Sequence, residues 1–106
     1  MANAEQWIFL AKVSDIALNT IQAVKISDLE LALYNIDGQY YCTHNVCTHA
    51  NVLLSDGWLE GDIIECPLHG GRFEVKSGKG LGAPIICDLK TYQTRLVDDS
   101  IEVLLG

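Results

Sequence analysis

Two short cysteine–histidine pairs constrain this chain more than any other feature. They are Cys47-Thr48-His49 and, after a gap of sixteen residues, Cys66-Pro67-Leu68-His69. Each segment offers one soft sulfur and one imidazole nitrogen, so two loops together supply a Cys2His2 donor set. The donors alternate Cys, His, Cys, His, whereas a zinc finger usually presents its cysteines first and its histidines afterwards. Either pair alone is accounted for by a small buried cysteine beside a satisfied histidine. Both together, each beside Gly, Pro or Asn suited to tight loops, point to a metal.

If one iron takes both sulfurs and a second takes both nitrogens, each iron draws on both loops and the centre ties them together. That is the ligand arithmetic of a [2Fe–2S] centre in which two histidines replace two cysteines on one iron. A structural zinc site is the metal-binding rival. A decoy lies five residues upstream, where Cys42-Thr43-His44 repeats the letters of the first pair. Cys42 follows Gln39-Tyr40-Tyr41, which reads as a strand, whereas Cys47 stands in a polar stretch with Asn45 and Asn51. The second copy is therefore the expected ligand pair, with Cys42 a strand residue and His44 the strand's polar exit.

The remaining sequence reads as short strands separated by turn residues. Candidates are residues 7–11, 21–26, 29–36 and 39–43, with Asp37-Gly38 as a hairpin signal between the last two. Residues 58–59, 63–66, 72–75, 91–97 and 101–105 follow. No helical apolar period lasts three turns, and residues 14–18 allow one turn at most. The spacing predicts an all-β barrel or sandwich. Residues 45–84 hold both ligand pairs, both prolines and seven of the nine glycines. They read as a loop-rich insertion on a base formed by residues 1–44 and 85–106, within a single domain spanning 1–106.

With 49% hydrophobic and 20% charged residues, the composition is that of an ordinary globular domain. The net charge of −7 is spread along the chain with no basic stripe, which argues against nucleic acid and for partners with basic docking surfaces. The apolar run at residues 7–11 is too short and too soon interrupted by charge for a signal-peptide core or a membrane span. The expectation is a cytoplasmic protein, monomeric because no apolar stripe demands a partner, whose four cysteines serve metal binding rather than disulfides. No Gly-rich dinucleotide fingerprint is present, so no flavin or nicotinamide fold is expected.

With the ligand pairs placed, the chain resembles the soluble Rieske-type ferredoxins of bacterial aromatic ring-hydroxylating dioxygenase systems. The likeness runs through Leu31-Ala32-Leu33-Tyr34, Asn45-Val46-Cys47-Thr48-His49 and Ser55-Asp56-Gly57-Trp58-Leu59-Glu60-Gly61. It continues in Glu65-Cys66-Pro67-Leu68-His69-Gly70-Gly71-Arg72-Phe73 and Ala83-Pro84. The resemblance implies an antiparallel β base carrying a small cluster-binding subdomain. It implies one Rieske [2Fe–2S] cluster, with Cys47 and Cys66 on the buried iron and His49 and His69 on the outer one. It further implies a one-electron carrier rather than an enzyme, working between a flavin-dependent ferredoxin reductase and a terminal oxygenase. Other readings are a Rieske subunit of a monooxygenase or nitrite reductase system, and a structural zinc-binding interaction module.

Two finer expectations follow from the same resemblance, and a third, at Pro84, from the loop spacing. Rieske proteins with a disulfide between the ligand loops carry its cysteines where this chain has Val52 and Leu68, so Cys42 and Cys87 are expected as free thiols in the buried core. Pro84 is either a cover for the cluster or an ordinary loop proline. High-potential relatives have serine and tyrosine at the positions of Gly71 and Phe73, whose hydroxyls can donate to cluster sulfurs. Their absence predicts a potential near the low end of the Rieske range, about −150 mV, and predicts that Gly71→Ser raises it, provided Gly71 needs no glycine-only backbone conformation.

Overall fold

The computed structural model describes residues 6–68 and 70–105. Among the described residues ten strands alternate with turns: β1 Trp7–Lys12, β2 Thr20–Ile26, β3 Leu29–Ile36, β4 Gln39–His44 and β5 Trp58–Glu60 come first. β6 Ile63–Glu65, β7 Arg72–Glu74, β8 Thr91–Tyr92, β9 Thr94–Val97 and β10 Ser100–Leu104 complete them. The fold is all-β, and every strand pairing is antiparallel. The helical structure among the described residues consists of single 3-10 turns at Val13–Asp15 and Leu54–Asp56.

Three sheets result, in the orders β1-β10-β9, β2-β3-β4-β8 and β5-β6-β7. The Asp37-Gly38 turn joins β3 to β4 with φ values of 53° and 87°, the doubly left-handed geometry that suits a two-residue hairpin. The 91–97 segment, expected as one strand, divides at Gln93. Residues 91–92 pair with β4 while 94–97 pair with β10, and the Gln93 carbonyl accepts the Leu104 amide at 3.0 Å where the chain changes sheets.

β3 organises the interior. Its last six residues are all buried, and successive side chains serve opposite faces of the sheet. Leu31 and Leu33 join Leu10, Cys42, Ile101 and Val103 in one apolar cluster between the two base sheets. Ala32, Tyr34 and Ile36 enter a second cluster with Leu54, Ile64, Phe73, Val75 and Leu89. Cys47 and Cys66 belong to that second cluster. A strand buried on both faces needs no polar alternation, and this one suspends the two cysteines from the same framework that closes the base.

Candidate metal centre

The first loop is pinched off by backbone bonds. Asn45, wholly buried, donates its N–H to the Glu30 carbonyl at 2.9 Å, and its own carbonyl accepts the Leu54 amide at 2.7 Å. Its side chain turns toward the same partner segment: Oδ1 accepts the Ser55 amide at 2.8 Å and Nδ2 donates to Ser55 Oγ at 2.9 Å. Two residues on, the Cys47 amide donates to the Val52 carbonyl at 2.9 Å, so the chain from 47 to 52 stands out as a closed loop. The second loop caps the β6–β7 hairpin. Glu65 pairs with Arg72, and the Cys66 amide reaches the Gly71 carbonyl at 2.6 Å.

These closures bring three of the four expected donors together. The Cys47 and Cys66 sulfurs and a His49 nitrogen lie within 4.8 Å of one another. The Cys47 sulfur stands 2.7 Å from His49 Nδ1, while Nε2 on the far side of the ring stands 3.1 Å from the Leu68 carbonyl. The imidazole therefore spans the two loops, one nitrogen facing the thiols and the other the second loop's backbone. His69 lies outside the described residues. Cys47 and Cys66 are buried, whereas His49 is half-buried.

Burial pushes the Cys66 thiol upward; the Leu68 amide, 3.5 Å from its sulfur, opposes the shift, and neighbouring Cys47 adds to it. The Cys66 sulfur, buried beside a second thiol, resists ionisation unless a cation compensates it. A thiophilic metal supplies that cation, so this donor set fits an iron–sulfur centre.

The upstream Cys-Thr-His takes no part in the group. Cys42 points into the base core, and burial pushes its thiol up to about 12. His44 ends β4, its amide donating to the Lys90 carbonyl at 2.9 Å. Both Cys42 and Cys87 are free, but only Cys42 is buried. Cys87 departs from expectation because the loop it occupies turns Ile85, not the cysteine, inward. What Cys87 contributes is its carbonyl, which accepts Thr48 Oγ1 at 3.0 Å between the two first-loop donors.

Pro84 and Gly71 complete the surroundings of the site. Pro84 is exposed, and the next residue, Ile85, is the one that turns toward the site. At Gly71, an added Cβ would lie 2.6 Å from Ile85 Cδ1, 2.9 Å from His49 Cε1 and 3.2 Å from His49 Nδ1. The isoleucine terminus can swing aside, but an imidazole held between two loops cannot do so cheaply. Gly71 is thus a close-approach glycine, and a serine there collides with His49 before its hydroxyl can act on a cluster. Asn45 and Ile85 escaped the sequence reading, since an asparagine in a loop and an isoleucine after a proline look ordinary.

Comparison with known proteins supplies the family. The Rieske [2Fe-2S] domain matches residues 6–93. The chain belongs to this family. It is 44% identical over 101 residues to the ferredoxin component of the naphthalene 1,2-dioxygenase/salicylate 5-hydroxylase systems of Ralstonia sp., covering 95% of each chain. The ferredoxin of Sphingomonas yanoikuyae B1 superposes with a TM-score of 0.90 at 34% identity, covering 95% of this chain and 100% of that one. A chain from the complex of reduced oxygenase and oxidised ferredoxin in carbazole 1,9a-dioxygenase gives a TM-score of 0.86 at 34% identity, with 92% of each covered. The cofactor of this Rieske chain is a [2Fe–2S] cluster.

Proposed function

We propose that this Rieske chain is the electron-carrying ferredoxin component of an aromatic ring-hydroxylating dioxygenase system. Its partners are a flavin-dependent reductase and a terminal oxygenase, and it does no substrate chemistry itself. The observation that carries this reading is the convergence of Cys47, His49 and Cys66 in a ferredoxin-sized Rieske chain. Cys47, Cys66, His49 and His69 would hold the cluster, the cysteines on the buried iron and the histidines on the outer one. When bound, the cluster supplies one-electron storage.

The protein's own residues do the rest. The core-embedded cysteines anchor the site, while half-buried His49 extends it toward a docked partner. With Nδ1 toward the sulfurs, Nε2–H donates to the Leu68 carbonyl and fixes the ring's tautomer and angle. Residues 45–84 act as the cluster-binding subdomain on a base of 1–44 and 85–106. Leu68, 39% exposed beside His49's partner carbonyl, offers an apolar contact at the docking face.

The assignment is tested on protein purified without oxygen. It predicts two irons, two acid-labile sulfides and mixed nitrogen and sulfur ligation. Cys66→Ala and His69→Ala lose the cluster, whereas His44→Ala retains it. Stoichiometric zinc without sulfide would refute the cofactor assignment, and cluster loss in His44→Ala would refute the choice of first pair. Reconstituted electron delivery from a flavin reductase to a ring-hydroxylating oxygenase tests the role.

A further inference from the structure

A third loop, outside both ligand pairs, is built against His49. Residues 81–88 are fastened at two points: Thr48 Oγ1 donates to the Cys87 carbonyl at 3.0 Å, and the Gly80 amide donates to Asp88 Oδ1 at 2.9 Å. Between these fastenings the loop directs one apolar side chain inward. Ile85 is 8% exposed while Ile86 beside it is 90% exposed. The seat that receives Ile85 consists of two glycines. A Cβ added at Gly80 would lie 2.5 Å from Ile85 Cγ2 and 3.3 Å from its Cβ, and one added at Gly71 would lie 2.6 Å from Cδ1. The same point above Gly71 is 2.9 Å from His49 Cε1. Ile85 thus occupies the space two missing side chains leave, with its branch methyl over Gly80 and its terminal methyl, like His49 Cε1, within 3 Å of the point above Gly71.

We infer that Ile85 is a positioning residue for His49: its side chain, keyed onto Gly71 and Gly80, sets the side wall against which the imidazole rests and keeps water from that face of the ring. This rests on the assignment of His49 as a cluster ligand. The consequence for redox behaviour has a definite sign. Reduction adds one negative charge, and water reaching the ligand stabilises the more highly charged state. Displacing Ile85 therefore favours the reduced form and raises the potential.

Gly80 allows a clean test, because an added methyl there strikes Ile85 while its other near neighbour, Asp88 Oδ1, remains at 3.7 Å. Gly80→Ala should shift the oxidation–reduction equilibrium at least threefold toward the reduced form, about 28 mV at about 59 mV per tenfold for one electron. It should also alter the histidine-nitrogen hyperfine couplings of the reduced protein. Gly80→Ala combined with Ile85→Leu moves the branch of residue 85 from Cβ to Cγ, away from the methyl added at residue 80, and the pair carries one carbon more than the wild type. That pair should return potential and couplings to wild-type values. A Gly80→Ala protein with unchanged potential and couplings, or a double variant no closer to wild type than the single, would overturn the inference.

If Gly80→Ala holds no cluster, Ile85→Ala, which introduces no collision, takes its place. It must raise the potential and change the couplings, and wild-type values in it overturn the inference. Wild-type protein lacking histidine-nitrogen coupling would overturn the ligand assignment together with the inference. Normal wild-type coupling with indifferent variants would overturn the inference alone.

Discussion

Replacing Asn45 with alanine tests whether the cluster loop is held by a side chain two residues before its first ligand. Asn45 is fully buried, and its amide makes two bonds to Ser55, accepting the backbone N–H at 2.8 Å and donating to Oγ at 2.9 Å. Truncation leaves the Ser55 amide without its acceptor, at about 1–3 kcal/mol, and removes a second bond with a net worth of about 0.5–1.5 kcal/mol. The sum is about 1.5–4.5 kcal/mol. Since about 1 kcal/mol moves the midpoint of a domain near this size by roughly 4–8 °C, a loss of roughly 6–36 °C is expected. Because the freed segment carries Cys47 and His49, visible absorbance from the cluster should disappear before far-ultraviolet dichroism does. The two signals are followed in one thermal ramp, with His44→Ala as the neighbouring control. An Asn45→Ala protein within about 1 kcal/mol of wild type, or losing both signals together, would refute the idea that this side chain fastens the loop.

Four other outcomes are expected. Gly71→Ser, measured by iron content and voltammetry, should lower cluster occupancy instead of raising the potential cleanly, because its Cβ meets His49 Cε1 at 2.9 Å. Leu68→Glu should slow electron delivery to the oxygenase at limiting ferredoxin with iron content unchanged, since redox encounters use small interfaces, below about 1,200 Å² in total. Native alkylation followed by mass spectrometry should modify exposed Cys87 and spare buried Cys42. Burial holds the Cys42 thiol near about 12, above its ordinary value of about 8.5. Its stabilising contribution is therefore complete below about pH 8.5 and is lost as pH rises toward that folded value. Film voltammetry of the wild type should give a potential near about −150 mV, and a value above about +100 mV would show that the hydroxyls missing at Gly71 and Phe73 do not govern it.

Strand existence was legible because it depends on local signals. The Asp37-Gly38 hairpin, the unbroken apolar run of β3 and the glycine punctuation around β5–β7 are all written in neighbouring residues. The three side chains that converge were legible for a similar reason, as Cys47, His49 and Cys66 announce themselves by chemical type and order. The 91–97 segment failed because a change of sheet is decided by partners elsewhere: β4 claims Thr91 and β10 claims Thr94. Cys87 failed likewise, since the inward side chain of its loop is chosen by the space that Gly71 and Gly80 leave. Gly71 looked like a vacant position for a hydroxyl because a sequence shows which atoms are missing but not what has moved into their place.

The arrangement of the two cores explains how so small a domain can hold a redox site rigidly while leaving one edge accessible. β3 sends alternate side chains into the base core and into the core containing Cys47 and Cys66. Displacing either cysteine would therefore disturb packing that continues through Ala32 and Tyr34 to the base sheets. His49 is held differently, by the Leu68 carbonyl on one side and the Gly71 approach on another, and it is only half-buried. Sulfur donors fixed in a dry core disfavour added negative charge, whereas an imidazole at the rim lets that charge sit nearer to water. Under the proposed assignment, the same division that makes the site rigid would direct the electron toward the histidine edge, where a docked partner would reach it.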